Sequence, residues 1–155
     1  MAPTGIDPER LEAWRGLLVT HAALVRRLNE ELEQEMGLPL PWYEVLLHLN
    51  EAPQGSLRMG DLARRALLTP SGLTRLVDRM ETAGLVERQA CGDDRRGSWA
   101  ALTAAGRKKL KEASPVHVRG VDQYFARHLS KDEAKAMTKA LAKMLADVRG
   151  DCQPL

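Results

Sequence analysis

Over most of this chain the apolar residues recur at helical rather than alternating spacing. From about Pro8 to Met36, Leu11, Trp14, Leu17 or Leu18, His21, Leu24, Leu28 and Leu32 form one stripe, and Gly37 ends it. At roughly 1.5 Å per residue such a helix exceeds about 40 Å, longer than a small domain needs for its own core. A stripe of that length calls for a partner, and a second copy of the chain is the simplest one. Leu38–Pro41 reads as a stiff connector, with Pro41 opening a helix from Trp42 to Asn50 that turns Val45, Leu46 and Leu49 inward. A turn at Pro53–Gly55, a short strand at Ser56–Arg58 and a helix from Met59 to Leu67 follow. In this last helix Leu62, Ala63, Ala66 and Leu67 are expected to face the core.

The next stretch carries the most information. Thr69 suits a helix cap and Pro70 the first helical position, and Gly84 suits the left-handed residue that stops the helix. Leu73, Leu76, Val77 and Met80 supply one apolar face, while Ser71, Thr74, Arg75 and Arg79 fall elsewhere on the cylinder. A short helix, a tight break and a second helix that packs by one face make a helix-turn-helix, whose second helix can enter a major groove.

Two strands follow, Leu85–Ala90 and Ser98–Leu102, joined by the polar loop Cys91–Gly97 with glycine at each end of its charged run. This hairpin reads as a wing. An arginine from the pair Arg95 and Arg96 can enter a minor groove, where negative potential is concentrated, and Asp94 can hold one of them in pose. Thr103 caps a further helix running to about His128, with Pro115 as a kink point. Ser130 and Glu133 form a capping box for a last helix with Met137, Leu141, Leu145 and Val148 on one face, stopped by Gly150.

Composition and charge narrow the function. At 155 residues, 44% hydrophobic and 28% charged with few aromatics, the chain fits one helix-rich globular domain. No stretch has the length of a membrane span and Met1–Arg10 lacks a signal-peptide core, so a cytoplasmic protein is expected. Between Leu57 and Lys109 eleven cations stand against six anions, a net +5, whereas Ile6–Met36 carries four against seven, a net −3. A basic middle beside an acidic first helix suits a polyanion that touches the middle only, although a basic stretch is also an ordinary solvated face. Cys91 and Cys152 are too few for a disulfide framework, and the four histidines lack the spacing of metal ligands. No nucleophile–base pair, phosphate loop or cofactor motif appears, so neither an enzyme nor a cofactor is expected.

These words and their order resemble the MarR family of bacterial winged helix-turn-helix regulators. The resemblance rests on Ser71–Arg79 with Ala83–Val86, on Asp93–Gly97 followed by Leu102–Gly106, and on Trp42–Leu46 with Leu62–Ala63, together spanning roughly residues 41 to 106. It implies a mainly α fold with a small β-hairpin wing: residues 38–102 as the DNA-binding region, and residues 1–37 and 103–155 as a helical dimerisation layer, in one compact domain. It implies a homodimer on a palindromic duplex DNA operator. Thr74, Arg75 and Arg79 would contact the major groove, and Ser71 a phosphate at the helix N-terminus. Arg96, with Arg95 as the alternative, would enter the minor groove, braced by Asp94. The family usually represses transcription and is released by a small molecule, often aromatic. Trp14, Arg15, His21, Trp42, Tyr43, His48 and His117 are available to line an effector cavity, and Arg15, His21 and Trp42 are the residues expected to touch the effector. Two rival readings stand beside this one: a redox-responsive regulator acting through Cys91, and a winged helix that binds protein instead of DNA.

Overall fold

The computed structural model describes residues 5–90 and 98–149 of the chain. Six helices and three strands follow one another as α1 (Pro8–Met36), α2 (Leu40–Glu51), β1 (Ser56–Arg58), α3 (Met59–Arg65), α4 (Pro70–Thr82), β2 (Val86–Ala90), β3 (Ser98–Leu102), α5 (Ala104–Tyr124) and α6 (Lys131–Arg149). Among the described residues no helix is long and apolar enough to cross a membrane. The wing tip, and with it Cys91, Asp94, Arg95 and Arg96, lies outside the described residues, as do Gly150 and Cys152.

α1 has the boundaries that its pattern predicts. The Asp7 side chain accepts from the Arg10 amide, and Gly37 closes the helix in the left-handed conformation at φ 59°. Its stripe, however, is not buried along its length. Leu32 is fully buried and Leu28 and Met36 pack against the core, while Trp14 and Leu18 keep about half of their surface exposed. α2 begins at Leu40 rather than Trp42 because the Asn29 side chain of α1 accepts the Leu40 amide at 2.9 Å and supplies the missing cap. The core gathers Val45, Leu46 and Leu49 from α2, Leu62 from α3, Leu73, Val77 and Met80 from α4, Val86, Ala100 and Leu102 from the sheet, and Leu110 and Ala113 from α5.

The strand order is β1–β3–β2, antiparallel throughout, with Leu57 opposite Ala100 and Val86 opposite Leu102. The wing is therefore the outer part of a three-stranded sheet rather than a free two-stranded ribbon. β1, only three residues long, anchors it beneath α3.

The expectation for Leu67 is overturned. α3 stops at Arg65, and Leu67 takes a left-handed backbone at φ 55° with 79% of its surface exposed. The Leu68 amide reaches back to the Ala63 carbonyl at 2.9 Å, which closes the helix with Leu67 where glycine is usual. α4 starts and stops as its sequence indicates: Thr69 Oγ1 accepts the Gly72 amide at 3.1 Å, and Gly84 sits at φ 74°. α5 carries Pro115 inside it and ends at Tyr124, and a single 3₁₀ turn at Ala126–His128 occupies the rest of the expected span. The α6 capping box forms in both directions, with Ser130 N–H to Glu133 at 2.8 Å and Glu133 N–H to Ser130 at 3.3 Å. Hydrogen bonding from the Ser130 side chain, and then from its backbone amide, holds the Glu133 carboxyl below its ordinary pKa.

Two glycines mark where the helical layer meets the rest. A Cβ on Gly106 would lie 2.0 Å from the Leu85 carbonyl oxygen, so the start of α5 rests directly on the backbone entering β2. Thr103 reinforces this seam by donating its hydroxyl to the Gly84 carbonyl at 2.7 Å. A Cβ on Gly120 would come within 2.6 Å of Leu28, which records the close crossing of α5 and α1. Arg119–Glu35 and Tyr124–Glu31 contacts tie the same two helices further along. α6, by contrast, packs substantially against no other described element.

Candidate nucleic-acid interface

At about 100° per residue, the side chains of α4 sort into four sectors. Leu73, Val77 and Met80 face the core and are fully buried. Ser71, Arg75 and Thr82 lie opposite them, on an exposed crest. Thr74, Asp78 and Glu81 occupy one flank and Arg79 the other. Arg75 makes no ion pair or hydrogen bond among the described residues, so its five donors and its charge are available at the crest. Ser71 Oγ stands 3.4 Å from Thr69 Oγ1, beside the first free amides of the helix. Thr74 Oγ1 donates to the Pro70 carbonyl at 2.9 Å, which spends its proton locally and leaves its lone pairs outward.

The two flanks are occupied. Arg79 lies over the Trp42 ring, its guanidinium carbon 5.7 Å from the ring centre. Arg88 of β2 bonds Asp78 at 2.6 Å and donates to the Thr74 carbonyl at 3.3 Å, and its own amide donates to Glu81 at 2.9 Å. Thus the four α4 residues expected at DNA are all exposed, but Arg79 is turned onto α2. The Arg88 and Trp42 roles were not anticipated. Asp78 and Glu81, three apart on one flank, were the available hint that a cation must stand beside them.

A cleft of about 240 Å³ opens beside the helix-turn-helix, lined by Tyr43, Glu44, Leu47 and His48 of α2, Arg65, Ala66 and Leu67 at the end of α3, and His117 of α5. The His117 ring packs on Tyr43 with centroids 4.5 Å apart, and its buried Nδ1 has no hydrogen-bond partner among the described residues. Burial lowers the pKa of His117 and, as the leading cause, that of His48, where Arg65 lowers it further and Glu51 opposes. Burial also raises the Glu44 carboxyl, against the pull of His21. Arg15, His21 and Trp42 do not line this cleft: Arg15 and His21 stand exposed on α1, and Trp42 faces Arg79. Tyr43, His48 and His117, from the wider aromatic set, do line it. Among the described residues no cluster of three or more histidine, cysteine or carboxylate side chains could hold a metal.

A compact helix pair, an outward crest whose Arg75 has no partner among the described residues, and a wing built on a three-stranded sheet define a winged helix-turn-helix protein. The sequence model of the MarR family matches residues 36–97. An HTH-type transcriptional repressor of Mycobacterium tuberculosis, Rv2887, is 33% identical over 131 residues, covering 84% of this chain and 92% of that protein. AbsC, a MarR family transcriptional regulator from Streptomyces coelicolor, superposes with a TM-score of 0.89 at 33% identity, over 96% of this chain and all of that one. Sco3205 from the same organism, a MarR family regulator solved in complex with DNA, gives a TM-score of 0.90 at 30% identity, over 96% of this chain and 93% of that one. The chain belongs to the MarR family and is a DNA-binding transcriptional regulator.

Proposed function

We propose that this regulator is a homodimeric repressor that holds a two-fold-symmetric operator with paired α4 helices and releases it when a small aromatic acid occupies the cleft. The observation that carries the DNA half is the α4 crest: Ser71 and Arg75 stand exposed directly opposite a fully buried face, with Arg75 unpaired among the described residues. In this reading Ser71, Thr74 and Arg75 approach a major groove, Arg79 lies at its edge, and the wing residues Asp94, Arg95 and Arg96 serve the adjacent minor groove.

The dimer half is supported by apolar surface that one chain leaves uncovered. Trp14, Leu18, Val19 and Val25 on α1, Val118 on α5, and Leu141, Met144, Leu145 and Val148 on α6 are exposed, Val148 at 83%. Apolar surface of this extent marks an interface, and α6 packs substantially against no other described element. The matching surface on a second copy would cover it and set the distance between the two α4 helices.

The effector half rests on the cleft. Its walls join apolar and aromatic side chains to Glu44, His48 and Arg65, His117 keeps a buried ring nitrogen without a partner among the described residues, and Arg65 brings a positive charge close enough to His48 to be felt there. An aromatic ring carrying one acidic group suits that lining. A ligand between α2, α5 and the α3–α4 turn shifts the DNA lobe only if it binds the released arrangement better. The test is to select a duplex from a random pool with the protein, establish its symmetry by footprinting, and titrate in hydroxybenzoates. Release that is lost in His117→Leu supports the reading. Operator affinity that saturating ligand leaves unchanged removes the switch, and a Leu145→Glu protein that stays dimeric removes the proposed interface.

A further inference from the structure

We propose that Arg88 and Trp42 are positioning residues that clamp the recognition helix from its two flanks and fix its rotation about its own axis. The inference rests on the reading that the α4 crest meets DNA. The buried face of α4 does not fix that rotation by itself. Leu73, Val77 and Met80 are held by apolar contact, which is non-directional and tolerates a small roll of the cylinder. Side chains on a helix end about 5–6 Å from its axis, so a roll of about 15° displaces a crest atom by roughly 1.5 Å. That is more than the span between a good hydrogen bond and none.

The directional ties are on the flanks. Arg88, with 33% of its side chain exposed, joins three flank residues of α4 at once: Asp78 through its carboxylate, Thr74 through its carbonyl, and Glu81 through the Arg88 backbone amide. Together these contacts span two turns of the helix, so they resist roll and tilt together. They also lock α4 to β2, the strand that leads to the wing tip. On the other flank the Arg79 guanidinium stacks on Trp42, the third residue of α2. The helix is thus held by an ion pair on one side and a cation–ring contact on the other, and Arg79 serves as a brace rather than a reader of bases. Both side-chain contacts come from one guanidinium nitrogen, Nη2, held in the plane of the group; lysine in place of Arg88 keeps the charge but carries it on a freely rotating ammonium without that fixed geometry.

The clamp and a plain electrostatic role predict opposite signs for Asp78→Asn. Neutralising an anion beside DNA should tighten binding if charge is all that matters. The clamp predicts that Asp78→Asn weakens binding to the selected duplex by roughly three- to fivefold per half-site, about tenfold or more over a symmetric site, while binding to a scrambled duplex of equal length holds or strengthens. Arg88→Lys should lose selectivity similarly with an unchanged salt slope, since no phosphate contact is removed. Trp42→Leu should lose it and Trp42→Phe recover it. Melting temperature is measured on every variant, so that a fall in selectivity is read on folded protein. Asp78→Asn or Arg88→Lys keeping full selectivity overturns the clamp. If the parent itself prefers no duplex over its scrambled control, the DNA reading of α4 fails instead.

Discussion

Gly106→Ala tests the seam between the DNA-binding lobe and the helical layer. Alanine adds one methyl group, and its ideal position is 2.0 Å from the Leu85 carbonyl oxygen and 2.9 Å from Leu102 Cδ1. A normal carbon–oxygen contact needs more than 3 Å, so α5 or the backbone entering β2 must move by about 1 Å. The obstacle is main chain, which cannot rotate away as a flexible side chain would. Overpacking of this kind costs typically 1–3 kcal/mol, and a backbone clash belongs at about 2–3 kcal/mol. The Thr103-to-Gly84 bond crosses the same seam and would be stretched by the displacement. For a chain of this size the cost lowers the melting temperature by roughly 4–12 °C. Scanning calorimetry at fixed protomer concentration, with operator-free protein, measures it. Gly16→Ala is the control: nothing lies within 4 Å of its Cβ, so replacing a mid-helix glycine should raise stability by about 0.5–1 kcal/mol. A Gly106→Ala protein that melts with its parent would refute the close approach.

Three further outcomes follow from local chemistry. Thr69→Ala removes the side-chain acceptor for the Gly72 amide and should cost about 1 kcal/mol in urea denaturation; no change would mean that water replaces the cap without loss. Leu67→Asn puts a residue tolerant of the left-handed region at an exposed φ of 55° and should stabilise by about 0.5–1 kcal/mol, whereas a loss would show that Leu67 is held by contacts elsewhere. His48 and His117 both have folded pKa values below the unfolded 6.5, so the unfolded chain takes up protons first as pH falls. Stability should therefore be full above about pH 6.5 and decline as pH drops through the depressed folded values, and a double His→Gln protein should flatten that stretch of the profile.

Much of the architecture was legible because its signals are local. Thr69, Thr103 and Ser130 each cap the helix that their neighbours announce, and Gly37 and Gly84 each stop one, whereas the Asp7 cap was not anticipated. The crest of α4 was equally legible, since helical spacing alone sets Ser71 and Arg75 opposite Leu73 and Val77. What was not legible depends on residues distant in sequence. Leu67 looked inward by its spacing, yet α3 closes two residues earlier. β1 joins β3 across more than forty residues. Trp42 looked like a cavity aromatic, and only folding shows its ring under Arg79, 37 positions away. Arg15, His21 and Trp42 were the residues expected at an effector, and none of them lines the cleft beside the helix-turn-helix. Its observed lining depends on where α5 crosses α2, which no local pattern states.

Arg75→Ala tests most directly whether α4 reads DNA, because Arg75 stands on the crest with no ion pair or hydrogen bond among the described residues for its removal to disturb. The expected result is an unchanged melting temperature and a loss of about 1–3 kcal/mol for each half-site of the duplex selected by the parent, with a far smaller loss on a scrambled duplex. Equal affinity for the selected duplex in parent and variant, measured at the same salt concentration, would contradict it.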